Sequence, residues 1–314
     1  MKQKHLFIMD PLGKLNLELD TSVRVAFELH SLEHEVHFCQ VGDLFWLSKN
    51  KPSCQARPFL FQKDVRKVQG GEPQRLPLSE FASIHMRKDP PFDMSYITAT
   101  WFLDVAECLV VNSPQALRAF NEKMAVLLFP EACKRSFVAY DAERLLTFIK
   151  EDCGGNAIVK PLFQYGGEGI FRLNLKEIDD ATALESLRKA STQGTTPRLV
   201  QAFDETISQG EVRAFALDGK ALAWCLKVPR KGQFLANTRA GATLHSYIPS
   251  PSLRTKIEAL SQKLAVQGVY FVGFDIIGEE VSEINITSPR LLTGPDDRHN
   301  YYRELAKWVA RKTA

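Results

Sequence analysis

The sequence predicts an α/β and α+β protein: an N-terminal α/β domain on a parallel sheet, then two α+β units with antiparallel strands. Three observations carry this. The first third alternates short apolar strands with helical patterns, which places helices over a mostly parallel sheet. Beyond about Asn121 longer strand runs follow one another around tight turns. The 314 residues also exceed the roughly 100–200 of one ordinary domain. The boundaries fall at 1–120, 121–203 and 204–314.

In order along the chain, residues 5–9 read as a strand. The cap signal Asp20-Thr21-Ser22 opens an amphipathic helix over 22–30. Strands follow at 35–40 and 84–86, then a Pro-containing loop and a helix over 96–107. Residues 109–111 are a short buried strand, and Asn112-Ser113-Pro114 starts another helix. The stretch 49–77 is polar and rich in Gln, Lys, Arg, Pro and Gly, and is expected to be an excursion from the sheet. In the second part, strands are expected at 135–140, 157–161, 170–173 and 198–203, with helices at 141–152 and 176–189. Strands at 212–217 and 222–228 flank the turn Asp218-Gly219. An amphipathic helix over 253–266, strands at 270–277 and 281–286, and a last helix complete the chain.

Apolar residues make up 45% and charged residues 25%, a balance that can bury real cores. The net charge of +3 is spread without a basic block, so nucleic acid is not expected as a partner. No apolar run reaches membrane-spanning length, and the N-terminal one is too short for a signal-peptide core. The six cysteines are scattered without a C-x-x-C pair, pointing to free thiols and the cytoplasm. The seven histidines are expected in structural or surface roles.

Four features converge on phosphate and metal chemistry. Gly166, Gly167 and Gly169 form a loop between two strands whose main-chain N–H groups can approach an anion. A plain hairpin turn is its alternative, and no Gly-Lys-Ser/Thr follows as a P-loop requires. Lys160 ends the apolar strand just before that loop, well placed for a phosphate or to snorkel to the sheet edge. Asp275 sits in an apolar strand, while Glu283 and Asn285 alternate with isoleucines in the next one, so a turn at Gly278 would gather all three. Two carboxylates and an amide are hard-oxygen ligands of the kind Mg²⁺ takes beside nucleotide phosphates. Glu211 and Arg213 share a strand face, as a site for developing negative charge or as an exposed salt bridge.

The chain resembles the bacterial glutathione synthetases of the ATP-grasp superfamily over nearly its whole length. The stretches that carry the resemblance are Met86-Arg87-Lys88-Asp89-Pro90-Pro91-Phe92-Asp93, Val111-Asn112-Ser113-Pro114, Asn121-Glu122-Lys123, Val272-Gly273-Phe274-Asp275-Ile276-Ile277-Gly278 and Glu283-Ile284-Asn285-Ile286-Thr287-Ser288-Pro289. The resemblance implies an N-terminal substrate-binding domain followed by an ATP-grasp fold that holds ATP between two α+β subdomains. It implies that Lys123 and Lys160 meet the phosphates, that Gly166 and Gly167 belong to a mobile lid, and that Gln201 to Phe203 form the adenine-side hinge. Glu211 would face the ribose. Arg213, Lys227 and Asn237 would serve the reacting groups, and Asp275, Glu283 and Asn285 would hold two Mg²⁺ ions, with Mn²⁺ as a substitute.

The implied reaction joins γ-glutamylcysteine to glycine through an acyl phosphate, with ADP and phosphate as products and no protein nucleophile. A homo-oligomer, dimer or tetramer, is implied as well. Asp275→Ala is expected to abolish turnover with the fold largely intact. The sequence departs from the pattern in three places. Between 227 and 243, Lys227 stands for an arginine and one glycine of a Gly-Gly pair is missing; Glu211 stands for an aspartate nearby. After Pro289 the usual loop is replaced by Arg290-Leu291-Leu292-Thr293-Gly294-Pro295-Asp296-Asp297. These departures keep a ligase with another donor or acceptor as the alternative, and an inactive nucleotide-binding homologue as a third reading.

Overall fold

The computed structural model describes residues 2–314; Met1 and the Arg239 side chain lie outside the description. Three sheets organise the chain. The first contains β1 (Lys4–Ile8), β2 (Glu35–Cys39), β3 (Leu44–Phe45), β4 (Ser53–Leu60), β5 (Gln69–Gly70), β6 (Gln74–Pro77), β7 (Ser83–Met86) and β8 (Leu109–Val111). The order β2-β1-β7-β8 is parallel, as strand–helix alternation predicted. Helices α1 (Thr21–Ser31), α2 (Met94–Leu103) and α3 (Pro114–Ala119) accompany these strands. Each begins where a side chain accepts an orphan N–H: Asp20 from Val23, Asp93 from Tyr96 and Ser113 from Ala116.

The polar stretch 49–77 is not an excursion. β4 joins the parallel strands antiparallel to β2 and also pairs with β5, β3 and β6, the last two flanking Ser53 and Cys54 from opposite edges. Cys54, Ala56 and Phe59 are buried while Gln55 and Arg57 remain near solvent. Small inward residues hid the alternation behind a polar composition.

The second sheet is antiparallel, in the order β11 (Phe171–Asn174), β10 (Asn156–Pro161), β12 (Arg198–Ala202), β9 (Ser136–Ala139). One face is closed by α4 (Ala142–Glu151) and α5 (Asp180–Ala190), whose Leu145, Ile149, Ala183 and Leu187 pack with Ala157, Val159, Leu173 and Val200. The third sheet runs β15 (Thr243–Ser246), β14 (Lys220–Val228), β13 (Glu211–Leu217), β16 (Phe271–Ile277), β17 (Glu280–Asn285), all antiparallel. β15 was not foreseen, because an edge strand with mostly exposed residues leaves no apolar period. One face of this sheet is covered by α6 (Pro251–Val266) through Leu253, Ile257, Leu260 and Leu264. Lys123 precedes a short 3₁₀ turn, Met124–Leu128.

The final helix, α7 (Tyr301–Lys312), returns to the first domain and packs on α1. Arg303 and Asn300 both reach Glu28, at 3.1 and 2.8 Å. Among the described residues no helix is long and apolar enough to cross a membrane, and none of the six cysteines is paired.

Asn112, just after β8, joins the first and third sheets. Its amide nitrogen donates to Phe271 O (2.8 Å) and Ile286 O (2.7 Å), and its oxygen accepts from Tyr270 N and Phe271 N (both 2.8 Å). The side chain is buried, so Asn112→Ala would strand main-chain groups away from water. We expect a loss of about 3–5 kcal/mol, since several unsatisfied groups cost about 1–3 kcal/mol each. Denaturant unfolding of the variant checks this.

Candidate active site

The two antiparallel sheets turn their uncovered faces toward each other. A cavity of about 300 Å³ lies between them and extends to Asp89 and Pro90 of the first domain. Every site residue named from the sequence lines it, from Lys123 and Lys160 to Asp275, Glu283 and Asn285. Neither a cysteine nor a histidine does so among the described residues.

The floor is one face of the third sheet. Glu211 pairs in register with Lys227, Arg213 with Asp275, and Asp275 with Glu283. Because cross-strand partners share a face, Asp275 lies beside Glu283 and Asn285 as the strand period foretold, while the pairing of Arg213 and Lys227 onto the same face comes from the sheet order. Their contacts differ from the expectation, however. The Arg213 guanidinium grips Asp275 with two hydrogen bonds of 2.8 Å, and Lys227 Nζ donates to Asp275 Oδ1 at 2.7 Å. Asn285 Nδ2 adds a bond of 3.1 Å to Asp275 Oδ2. The side chains of Arg213 and Asp275 are nearly inaccessible, so their pairing is not an exposed salt bridge.

Burial alone would push the Asp275 carboxyl up, but Arg213 and Lys227 outweigh it and hold the group well below the usual carboxylate range. Burial likewise works against charge on Lys227, and Asp275 and Glu211 overcome it to raise the ammonium's pKa. Glu211, ion-paired with Lys227, is pushed up to about 7, mainly by burial and secondly by the nearby Asp275 charge.

Lys160 forms the opposite wall. It ends β10, which pairs antiparallel with both β11 and β12, so the glycine loop is a hairpin connection and a cavity wall at once. Gly166 and Gly167 adopt positive φ of 65° and 84°, a backbone open to glycine at little cost. The loop is held down on the cavity: Lys123 Nζ donates to Gln164 O (2.7 Å), and Asn237 Nδ2 donates to Gly166 O. Lys123 also meets Glu283 at 3.3 Å. Lys160 is different. It is buried in the wall, yet it makes no hydrogen bond or ion pair among the described residues. Burial lowers its pKa, and Glu283 and Glu211 only partly oppose that from a distance.

At one end Gln201 Nε2 donates to Ser136 Oγ (2.8 Å) and Ser282 O (3.2 Å), bridging the two sheets. Phe203 lies under the Arg172 guanidinium, 4.0 Å from the ring centre, and edge-on to Phe234. At the other end stand Asp89, Ser288 and Arg290.

Three cavity-lining positions were not named as site residues from the sequence. Glu122 is buried and accepts from Ile286 N, Thr287 N and Thr287 Oγ1 at 2.8–2.9 Å, fixing the segment after β17 beside Lys123. It lay inside the motif that drew attention to Lys123, which was the available signal. Lys134 lines the cavity and pairs with Asp204 at 2.6 Å. Arg290 carried no motif at all.

As chemistry, the arrangement is an anion cradle. Lys123, Lys160, Arg213 and Lys227 converge on one space, and Glu211, Asp275 and Glu283 partly neutralise them. An apolar and aromatic end suits a flat ring, and the covering loop can shield a water-sensitive intermediate.

Comparison with known proteins agrees with this geometry. Residues 3–118 match the family model of the prokaryotic glutathione synthetase N-terminal domain, and residues 122–296 that of the prokaryotic glutathione synthetase ATP-grasp domain. A glutathione synthetase of Vibrio parahaemolyticus is 34% identical over 287 residues, covering 90% of this chain and 89% of that protein. One of Ralstonia nicotianae is 35% identical over 289 residues, covering 90% and 87%. Among solved structures, D-cycloserine synthetase DcsG superposes with a TM-score of 0.67 at 13% identity, covering 97% of this chain and 99% of that one. ATP-grasp ligase PsnB, complexed with a minimal precursor, gives 0.64 at 16% identity, covering 99% of each. These structures share the fold.

Proposed function

The chain belongs to the prokaryotic glutathione synthetase family, and from that premise we propose that it condenses γ-glutamylcysteine with glycine while ATP is cleaved to ADP and phosphate. It is an ATP-dependent, glutathione synthetase-like ligase of the ATP-grasp fold acting on small molecules. The observation that carries the site reading is Lys160, a buried cation without an anion, facing a cavity walled by further cations. A charge left unpaired in such a place is costly unless a ligand's anion completes it.

In this reading Lys123 and Lys160 hold the ATP phosphates under the glycine loop, with Gly166 and Gly167 in the lid. Gln201 and Phe203 bound the adenine, and Glu211 faces the ribose. A carboxylate oxygen of the dipeptide attacks the γ-phosphorus and ADP departs, leaving an acyl phosphate. The glycine amine then adds to the acyl carbon, and phosphate leaves carrying that carboxylate oxygen. Arg213 and Lys227 balance the negative charge of both stages, and Asn237 holds the loop that keeps water from the acyl phosphate.

A divalent cation fits part of the donor set. Glu283 has an oxygen outside its Lys123 contact, and the Asn285 amide oxygen makes no hydrogen bond among the described residues. Both oxygens of Asp275 are engaged by Arg213, Lys227 and Asn285. Asp275 would join the set if one of those cations turned to a phosphate. We assign Asp275, Glu283 and Asn285 to two Mg²⁺ ions, for which Mn²⁺ can substitute. Bound there, the metal supplies neutralisation of phosphate charge.

We place the three units at 1–120, 121–203 and 204–314, and the enzyme in the cytoplasm, a setting that the unpaired thiols favour. We propose a homo-oligomer, dimer or tetramer, without nucleic-acid or membrane partners. The altered segment 290–297 favours a second reading, a different donor or acceptor. An acceptor and donor screen with Mg–ATP separates the two. Phosphate release stoichiometric with glutathione supports the first, turnover only with other substrates the second, and ATP binding without turnover opposes both.

A further inference from the structure

The cavity end nearest the first domain holds two opposite charges that do not meet. Arg290 lines it with a buried Nε that has no hydrogen-bond partner, and the side chain forms no ion pair among the described residues. Asp89 lines the same end, likewise without an ion pair, its carboxyl beside the Ser288 hydroxyl and pushed up by burial. Arg87, close by, gives two of its donors to Ser22 Oγ and Pro289 O, both at 3.1 Å, and its charge offsets part of the cost of burying Asp89 without forming an ion pair with it.

Asp89 N donates to Asp10 Oδ2 at 3.0 Å, Ser288 Oγ donates to Arg87 O at 3.2 Å, and Leu291 N donates to Thr21 Oγ1 at 2.8 Å. The backbone on both sides of the seam is therefore braced, and only Pro289 separates Ser288 from Arg290. A carboxylate and a guanidinium fixed in one cavity and kept apart complement a ligand that carries both charges itself. The fork of an arginine suits a carboxylate, and a carboxylate suits an ammonium.

We infer that Asp89 and Arg290 form the receptor for the amino-acid end of the donor substrate, Asp89 taking its α-ammonium and Arg290 its α-carboxylate. The inference rests on the ligase reading, and it makes donor choice a property of the segment in which this sequence departs from its relatives' pattern. The reacting carboxylate, at the other end of the dipeptide, then points toward Arg213 and Lys227.

The test is calorimetric binding to the intact protein of γ-glutamylcysteine and two analogues: 4-aminobutyryl-cysteine, which lacks the α-carboxylate, and glutaryl-cysteine, which lacks the α-ammonium. The protein should bind each analogue at least about tenfold more weakly than the dipeptide. Arg290→Met should weaken the dipeptide by about the same factor and leave 4-aminobutyryl-cysteine within about twofold. Asp89→Asn should do the same for glutaryl-cysteine. The KM for ATP should stay unchanged in both variants. Arg290→Lys, which keeps the charge and loses the fork, gives an intermediate loss and serves if the methionine variant does not fold. The inference is overturned if the analogues bind as tightly as the dipeptide, if Arg290→Met weakens dipeptide and analogue equally, or if the dipeptide does not bind. Binding needs no turnover, so absence of glutathione formation would count against the reaction and not against the receptor.

Discussion

Replacing Lys160 with methionine should raise the KM for ATP by about 100-fold while leaving the thermal midpoint unchanged or higher. The ammonium is buried without a partner, and its pKa is lowered by that burial. In the free protein it is a cost, because Glu283 and Glu211 offset the desolvation of this cation only in part. Methionine has similar reach, no charge and a flexible stem, so it fills the wall without that cost. In the complex the same ammonium would meet phosphate oxygens, and a charge-assisted contact of up to about 3 kcal/mol corresponds to roughly 100-fold in affinity. A residue that merely braced the sheet would behave the other way, with lower stability and an unchanged KM. Thermal unfolding without nucleotide, beside steady-state kinetics over ATP concentration, reads both signs.

Asp275→Ala should lose activity and stability together. The sequence alone led us to expect a lost metal ligand in an otherwise intact protein. In the structure Asp275 is the shared anion of Arg213 and Lys227, with all three side chains nearly inaccessible. Removing one member of such a group leaves the others charged and uncompensated, which costs about 3–5 kcal/mol. For a chain of this size that lowers the midpoint by roughly 5–15 °C. Turnover should fall by at least about 1,000-fold, since the reacting charge would lose both an oxygen ligand and the orientation of two cations. Calorimetry and a phosphate-release assay on the same preparation check the pair of effects. A fully active or fully stable variant contradicts the arrangement.

The contrast between these side chains marks what could be read in advance. Lys160 stood out because local pattern suffices: an apolar strand, a terminal lysine and a glycine loop within ten residues. Glu283 and Asn285 were legible from strand period, and Asp275 from the tight turn that returns β17 along β16. The partners of Asp275 were not. Arg213 and Lys227 lie 62 and 48 residues away, and which strands neighbour β16 is fixed by tertiary packing, which no local periodicity encodes. Composition misled at 49–77, where Cys54 and Ala56 serve as small inward residues among polar ones. The return of α7 to α1 depends on Glu28 meeting Asn300 and Arg303, some 270 residues on, again beyond any window of local sequence.

The account depends on the donor carboxylate being phosphorylated inside this cavity before the amine arrives. The direct measurement supplies γ-glutamylcysteine labelled with ¹⁸O in its cysteinyl carboxylate, together with Mg–ATP and glycine, and determines the label in the released phosphate by mass spectrometry. One labelled oxygen per phosphate, in step with glutathione formed, is the predicted result. Phosphate released without label, or glutathione formed without ATP cleavage, would contradict it.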